Sequence, residues 1–296
     1  MAEYPASTAK LLRHLPAVAG IVRRIAFAAG DTIMEHYSEV GYQGEVMEKP
    51  DGSPVTAADL QADELIRNAL MTEFPGIPMV TEETFDQVDR EALASAPHYW
   101  LVDGLDGTKS FRRGGRDFTV NIALIHEDSP VMGVVYAPAL GEGFAGAING
   151  EDRMAIRWND ESERDHDLRV RSIPFDGVTL LTGTTNEAGP SPRLQALMDG
   201  MKVARHIRRN SSIKFCDIAA ARADLYTRLR PNSFWDTAAG DAVLRAAGGI
   251  VTDLSGAILT YDRNSIGFTN QGFIACNDLD YFLPVFNDLY ERKLLP

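Results

Sequence analysis

The amino-acid sequence predicts a layered α/β protein in which helices and sheets alternate, and two observations lead to this fold class. In the first half of the 296-residue chain, two long helical patterns precede a series of apolar runs of strand length. The second half alternates between shorter strand and helix patterns. Because 45% of the residues are hydrophobic, the chain can bury a sizeable core, as one large domain or as two smaller domains that share an interface.

The first half opens with helical periodicity. Apolar residues recur at helical spacing from about residue 8 to residue 38, which predicts a long helix that is broken near Pro16. A second helix opens at Val55–Asp59, where Thr56 and Asp59 have the spacing of a capping box, and Leu60 belongs to its apolar side. Five strands follow, and tight turns between the last three predict an antiparallel sheet. These strands are Ile77–Thr81, His98–Val102, Phe118–Ile125, Val131–Tyr136 and Phe144–Ile148.

Residues 150–172 are dense in charge and lack periodicity, so we interpret them as a surface hairpin near a domain boundary. We therefore expect an N-terminal α+β domain over residues 1–150 and a C-terminal α/β domain over residues 151–296. The second half carries strand patterns at Val178–Leu181, Leu225–Leu229, Ile250–Asp253 and Gly272–Ala275. Its helical patterns lie at Pro192–Met201, Ser211–Ala223 and Asp236–Ala247.

The composition restricts the classes of partner. A formal net charge of -13 makes the chain a poor candidate for binding nucleic acid or an anionic membrane surface. No apolar run approaches the roughly 20 residues of a membrane-spanning helix, and the N-terminus lacks the pattern of a secretory signal. The two cysteines, Cys216 and Cys276, are too few for a disulfide framework or a zinc site. We therefore expect a cytoplasmic protein without integral membrane association.

Four short segments carry acidic residues beside strand ends or helix starts, and Val102–Thr108 is the most distinctive. Asp103 follows an apolar run, Asp106 comes soon after it, Gly107 supplies backbone freedom and Thr108 adds a hydroxyl. Oxygen ligands of this kind suit magnesium rather than zinc. The alternative is an Asp-Gly turn that is held by local hydrogen bonds.

The other three segments also have a structural interpretation. Asp59 and Asp236 could each cap a helix, and Glu82 and Glu83 could be a solvated pair after a strand. Each structural interpretation is plausible alone. Together, four acidic segments favour a site that holds divalent cations, most of whose ligands lie in the N-terminal half.

In this order, the segments resemble the inositol monophosphatase superfamily, and in particular its bacterial 3′(2′),5′-bisphosphate nucleotidases. The resemblance extends from Lys49 to Phe273. Its motifs are Ser53–Asp59, the Glu82–Glu83 pair, Tyr99–Asp103, Asp106–Phe111, Phe118–Leu124, Ser211–Cys216 and Phe234–Gly240.

The resemblance implies an αβαβα sandwich and two or three Mg²⁺ ions per site. It implies that the metals are held by the carboxylates of Glu82, Asp103, Asp106 and Asp236 and by the backbone carbonyl of Leu105. Two further roles are implied. Asp59 and Thr108 would orient and deprotonate the attacking water, and the amides of Gly107 and Thr108 would hold a phosphate oxygen. Inhibition by lithium is a further expectation, and a homodimer is left open.

The chain departs from the family pattern at two positions. Gly104 stands where proline is usual, which we expect to loosen the turn between the two aspartates. Asn210 stands where glycine is usual, and we expect a mild effect because asparagine tolerates a left-handed backbone.

The expected substrate is a small phosphate ester, namely 3′-phosphoadenosine 5′-phosphate, which would lose its 3′-phosphate to give AMP. The stretch from residue 202 to residue 214 is basic within an acidic chain, and Arg228 lies eight residues before Asp236. Inositol-specific relatives carry an acidic residue there, whereas arginine suits a second phosphate. Ser211, Ser212 and Lys214 would complete that pocket.

The alternatives concern both substrate and class. If the basic stretch is a solvated strand edge and Arg228 a salt-bridge partner, the enzyme would prefer inositol phosphates or accept sugar phosphates broadly. A haloacid-dehalogenase phosphatase would need Asp-x-Asp-Gly-Thr, whereas the spacing here is one residue longer. The last alternative is a non-catalytic sensor of metal or nucleotide.

Overall fold

The computed structural model describes residues 6–49, 52–162, 164–184 and 190–295. Most of the predicted helices and strands are present, with boundaries that differ by a few residues. The helices are α1 (Ala6–Arg13), α2 (Leu15–His36), α3 (Ala57–Glu73), α4 (Arg90–Ser95), α5 (Thr108–Phe111), α6 (Pro192–Asp199), α7 (Ile213–Ala219), α8 (Ala238–Ala246) and α9 (Leu279–Glu291). The strands of the first half are β1 (Val46–Glu48), β2 (Pro54–Thr56), β3 (Met79–Thr81), β4 (His98–Asp106), β5 (Thr119–His126), β6 (Ser129–Ala137) and β7 (Glu142–Asn149). Those of the second half are β8 (Asp152–Asn159), β9 (His166–Asp167), β10 (Val178–Thr182), β11 (Val203–Arg208), β12 (Leu225–Arg228), β13 (Asn232–Ser233), β14 (Ile250–Thr252), β15 (Thr269–Asn270) and β16 (Phe273–Cys276).

The larger sheet has seven strands in the order β3-β4-β5-β6-β7-β8-β9. Its first pair, β3 and β4, is parallel, and the remaining pairs are antiparallel. The predicted antiparallel arrangement of the last three N-terminal strands is therefore confirmed.

The charge-dense stretch after residue 150 forms a hairpin as expected, but β8 and β9 extend the same sheet. The division into two domains near residue 150 stays a prediction.

The smaller sheet has five strands in the order β11-β10-β12-β16-β14. Strands β10, β11 and β12 run parallel, while β16 pairs antiparallel with both β12 and β14. The parallel strands end at the same edge of the sheet, so Thr182, Arg208 and Arg228 lie at that edge. Two short two-stranded sheets, β1-β2 and β13-β15, complete the described topology.

Helices and sheets stack in five layers, which confirms the αβαβα sandwich. The apolar faces of α2 and α3 cover one side of the seven-stranded sheet, and α7 and α8 lie between the two sheets. Helices α6 and α9 cover the outer side of the five-stranded sheet, where Leu197 and Phe282 pack on Leu180 and Ile274. Each amphipathic helix thereby buries its apolar face against a sheet.

The N-terminal helices follow the sequence closely. The expected break near Pro16 is confirmed, because α1 ends at Arg13 and α2 begins at Leu15 with Pro16 in its first turn, where a missing N–H costs no hydrogen bond. The capping box of α3 is also confirmed, with Thr56 as the N-cap. The prediction that Leu60 belongs to the buried apolar side of α3 is wrong, since Leu60 is exposed. None of the described helices is long and apolar enough to cross a membrane.

Three elements of the second half differ from the prediction. The helix expected at Ser211–Ala223 is shorter, because the left-handed residues Ser211 (φ 56°) and Ala221 (φ 59°) bound it. Strand β11 was not predicted, because Arg205, His206 and Arg208 interrupt its apolar residues, and it forms an edge of the five-stranded sheet. Helix α9 was missed as well, and it contains Pro284.

Candidate active site

The end of strand β4 brings Asp103 and Asp106 together. In a regular strand, residues three positions apart point to opposite faces of the sheet. The pairing of β4 with β5 is irregular between these two aspartates, and a bulge of this kind re-aims the side chains that follow it. Asp106 consequently lies close enough to Asp103 to raise the pKa of that carboxyl.

Two further acidic residues reach the same place, one from the neighbouring strand of the sheet and one from the helical layer between the two sheets. Glu82 follows β3, and its backbone N–H donates to the carbonyl of Val102 at 3.1 Å. Asp236 stands just before α8, whose N-cap is Thr237, so the side chain of Asp236 is not its cap. Carboxylate oxygens of Glu82, Asp103 and Asp236 all lie within 4.8 Å of one another. The fold thus assembles a cluster from segments that are far apart in sequence.

The cluster is electrostatically unfavourable without a cation. Burial raises the pKa of Asp103 well above its usual range, and three neighbouring acidic side chains raise it further. Burial and the charge of Asp106 likewise raise the pKa of Asp236. Oδ2 of Asp103 is buried and has no hydrogen-bond partner in the described part of the chain. Hard oxygen donors with an orphaned buried acceptor fit a divalent cation such as Mg²⁺, which would reverse this local charge balance.

Asp59 both caps α3 and contacts Thr108 of the candidate site, two roles that the sequence analysis gave as alternatives. Its Oδ2 accepts from the backbone N–H of Thr56 at 2.8 Å and from the Thr56 hydroxyl at 2.5 Å, so it caps α3. Its Oδ1 accepts from the hydroxyl of Thr108 at 2.8 Å. The Thr108 hydroxyl also lies 3.3 Å from the carbonyl oxygen of Leu105. Capping and a contact with the candidate site therefore coexist in one residue.

Gly107 allows the chain to turn from β4 into α5. Its φ of 100° is left-handed, and a Cβ there would lie 3.1 Å from the carbonyl oxygen of Asp117. Glycine is therefore required at this position. The turn places Thr108 at the first position of α5, beside Asp59.

Ser211, Ser212 and Lys214 lie beside Asp106. The backbone N–H of Ser212 donates to Oδ2 of Asp106 at 2.6 Å. Lys214 is buried, its ammonium donates to the carbonyl of Ser211, and it lies 4.7 Å from the ring centroid of Tyr226. Burial lowers the pKa of Lys214 to about 8, although the charge of Asp106 opposes this shift. Their assignment as substrate-binding residues stays a prediction.

Arg228 belongs to a basic cavity next to the carboxylates. The cavity has a volume of about 360 Å³ and is lined by Arg193, Arg208, Arg228 and Arg230. Arg228 is close enough to Asp106 and Asp236 to lower the pKa of both carboxyls against the effect of burial. Among the residues that the structure describes, none of these four arginines has a carboxylate within 4.0 Å. Ser211, Ser212 and Lys214 do not line this cavity.

The structure places the two departures from the family pattern beside the site. Gly104 lies in the bulge of β4, where a Cβ would be 3.0 Å from the backbone nitrogen of Asp63 in α3. Its loosening effect on the turn stays a prediction. Asn210 is not left-handed, whereas the following residue, Ser211, is.

Sequence reasoning missed several residues at this site. Lys49 donates to Glu82 and to Glu83, both at 2.7 Å, so the acidic pair is partly neutralised rather than freely solvated. Arg230 stands two positions after Arg228, and this spacing is a sequence signal that could have predicted a second arginine at the cavity. Arg193 carries no such signal, since only the packing of α6 beside β12 brings it to the cavity.

Comparisons with known proteins agree with this geometry. The model of the inositol monophosphatase family matches residues 15–280. The 3′(2′),5′-bisphosphate nucleotidase CysQ of Escherichia coli (strain K12) is 38% identical over 252 residues, which cover 85% of this chain and 96% of that protein.

Solved structures give the same result. CysQ from Bacteroides thetaiotaomicron, a bacterial member of the inositol monophosphatase family, has a TM-score of 0.73 at 30% identity, with 88% of this chain and 98% of that chain covered. The extragenic suppressor protein SuhB from Bartonella henselae has a TM-score of 0.71 at 26% identity, with 92% and 98% covered. The resemblance that the motifs predicted is confirmed, and it sets aside the haloacid-dehalogenase alternative. The chain belongs to the inositol monophosphatase family.

Proposed function

We propose that this protein is a magnesium-dependent 3′(2′),5′-bisphosphate nucleotidase that removes the 3′-phosphate of 3′-phosphoadenosine 5′-phosphate to give AMP and phosphate. The observation that carries the substrate is the cavity beside the acidic cluster, whose four arginines have no carboxylate within 4.0 Å in the described part of the chain. A chain with a net charge of -13 has few reasons to gather such cations except to bind an anion. The names of its CysQ relatives support the same reaction.

In this proposal, Mg²⁺ is held by the carboxylates of Glu82, Asp103, Asp106 and Asp236 and by the carbonyl of Leu105. When bound, it lowers the pKa of water and neutralises the charge that develops on the leaving oxygen. The four carboxylates supply the negative charge that two or three dications need, which explains why an acidic site can bind a phosphate.

Asp59 and Thr108 prepare the attacking water. Because the Thr108 hydroxyl donates its proton to Asp59 at 2.8 Å, its lone pairs are free to accept a hydrogen bond from water. As that water attacks phosphorus, its proton passes to the Thr108–Asp59 pair and the P–O3′ bond breaks. The ribose oxygen leaves with a proton from solvent. The amides of Gly107 and Thr108 donate to a phosphate oxygen during this step.

Arg228 binds the second phosphate. Its buried Nε has no partner in the described part of the chain, so the side chain has unused donor capacity. A guanidinium binds phosphate oxygens in a bidentate way, and inositol phosphates would not place a second anion there. The other three arginines of the cavity add attraction at its rim.

The test compares kcat/KM for the bisphosphate nucleotide and for inositol 1-phosphate in the wild type and in Arg228→Glu. We expect a strong preference for the nucleotide in the wild type and a selective loss of at least about 100-fold in the variant, since removing a charged contact and introducing repulsion each cost several kcal/mol. Arg205→Glu is the matched control, because Arg205 is exposed on β11 but does not line the cavity.

Equal efficiencies for the two substrates, or an unchanged preference in Arg228→Glu, would contradict the nucleotide assignment. They would favour an inositol or broad sugar phosphatase. Absence of any magnesium-dependent phosphate release would favour a non-catalytic sensor. Inhibition by lithium, a role in sulfur metabolism, a cytoplasmic location and a homodimer belong to the same proposal.

A further inference from the structure

One hydrogen bond from the second half of the chain fixes the orientation of Asp106. The backbone N–H of Ser212 donates to Oδ2 of Asp106 at 2.6 Å across a sequence separation of 106 residues. This contact leaves the other carboxylate oxygen of Asp106 for a ligand. The orientation of Asp106 therefore depends on the turn that presents Ser212.

That turn is not stable by itself. Ser211 has a left-handed φ of 56°, a conformation that costs about 1–2 kcal/mol in residues other than glycine. Neighbouring groups must supply the difference. Three side chains at alternate positions in and just before β5 contact the turn, and alternate positions share one face of a strand. They are Asp117, Thr119 and Asn121.

The three side chains hold the turn at two points. Oδ2 of Asp117 accepts from the backbone N–H of Asn210 at 2.6 Å, and its Oδ1 lies 3.3 Å from Nδ2 of Asn210. The Ser212 hydroxyl lies 2.9 Å from Oγ1 of Thr119 and 2.5 Å from Oδ1 of Asn121, to which it donates. Thr119 is the strand partner of Asp106, so the turn is held directly beside that carboxylate.

Asp117 has one contact that the other two side chains lack. Its Oδ1 also accepts from the hydroxyl of Ser110, which belongs to α5. Helix α5 begins with Thr108, the residue that contacts Asp59. A single carboxylate therefore connects the helix that carries Thr108 to the turn that orients Asp106.

We propose that Asp117 is a positioning residue, which sets Thr108 and Asp106 in the relative arrangement that the reaction needs. It acts through hydrogen bonds to Ser110 and Asn210, without contacting the substrate or the metal. The inference rests on the proposed roles of Thr108 and Asp106. It does not depend on which phosphate ester is the substrate.

Asp117→Asn tests this role because asparagine keeps the size of the side chain but replaces one acceptor oxygen with a donor group. One of the donors on Ser110 or Asn210 would then face another donor. Residues that orient a metal ligand typically contribute about 10–100-fold to affinity or activity. We therefore expect kcat to fall about 10–100-fold and Mn²⁺ affinity to fall about 10-fold, while KM changes less than about 3-fold.

The matched control is Asp253→Asn. Asp253 also accepts three hydrogen bonds within a loop, from the backbone N–H groups of Ser255 and Ala257 and from the Ser255 hydroxyl. All three go to Oδ1, which asparagine retains, so this variant reports the effect of removing a loop charge while the hydrogen bonds are kept. We expect its kcat and Mn²⁺ affinity to remain at wild-type values.

Turnover is measured with the bisphosphate nucleotide and with p-nitrophenyl phosphate, and Mn²⁺ binding by calorimetry without substrate. A wrong substrate assignment would alter only the nucleotide turnover, whereas a wrong role for Asp117 would leave Mn²⁺ affinity and turnover of both esters unchanged.

Ser110→Ala is the second variant and removes only the link to α5. We expect it to lower kcat while Mn²⁺ affinity is retained, and unchanged kcat in Ser110→Ala or equal losses in Asp253→Asn would overturn the proposal.

Discussion

Asp103 and Asp224 are both buried aspartates, with 2% and 0% of their surface exposed, but their surroundings differ completely. Both oxygens of Asp224 have partners. Arg171 donates to them at 2.8 Å and 2.6 Å, the backbone N–H of Thr179 at 2.7 Å, and Nδ2 of Asn277 at 2.9 Å. One oxygen of Asp103 accepts from the backbone N–H of Leu105 at 2.9 Å, and the other has no partner in the described part of the chain.

The difference separates a structural carboxylate from one arranged for a ligand. A buried charge is tolerated when it is paired and hydrogen-bonded, as Asp224 is. The environment of Asp103 does the opposite, because burial and neighbouring acids raise its pKa well above the usual range. A fold keeps such an arrangement only if something else supplies the positive charge. The hydrogen-bond and charge partners of a buried aspartate therefore indicate its role better than its burial does.

The largest effect that would test this comparison is expected in Asp106→Asn. We expect phosphatase activity to fall on the order of 1,000-fold, since electrostatic groups aimed at a reacting centre contribute about that much. The fold should be retained, because removing a buried negative charge relieves repulsion with Asp236. Phosphate release and the melting temperature without magnesium are measured on one sample. A variant that keeps most of its magnesium-dependent rate would remove the central claim about the cluster.

The reverse effect is expected at the structural carboxylate. Arg171→Met leaves Asp224 buried without its charge partner, and we expect a loss of about 3 kcal/mol in the free energy of unfolding, at the low end for buried pairs because Arg171 is partly exposed. Turnover per folded molecule should be unchanged.

Urea unfolding monitored by fluorescence gives the free energy, and Arg292→Met is the control. The Arg292–Asp288 pair has 52% and 55% of its side-chain surfaces exposed. An exposed pair contributes at most about 1 kcal/mol. If Arg171→Met lost activity rather than stability, the contrast between the two buried aspartates would fail.

The smallest expected effect is stabilisation by magnesium. At about 100 times its dissociation constant, a ligand that binds only the folded state raises the free energy of unfolding by about 2.7 kcal/mol. For a protein of 296 residues, we expect the melting temperature to rise by roughly 4–5 °C. The rise should be largely absent in Asp106→Asn and fully present in Arg171→Met. Scanning calorimetry with and without Mg²⁺ makes the comparison, and an equal rise in both variants would place the binding elsewhere.

The sequence by itself determined most of the fold and the identity of the acidic segments. Periodicity predicted α2, α3 and the antiparallel strands, because amphipathic patterns reflect which face of an element is buried. The spacing of Thr56 and Asp59 predicted the cap of α3, since capping is a local interaction. The order of the acidic motifs predicted the family, which both the fold and the comparisons confirm.

Tertiary structure decided which of these residues meet. The bulge in β4 brings Asp103 beside Asp106, and no local pattern distinguishes that bulge from an ordinary strand end. Arg193 reaches the cavity and Asp117 reaches Asn210 only through packing between distant elements. Local patterns report the face that an element buries, whereas a site depends on the register and orientation of elements against one another. Those are set by long-range contacts that a sequence pattern of one element does not contain.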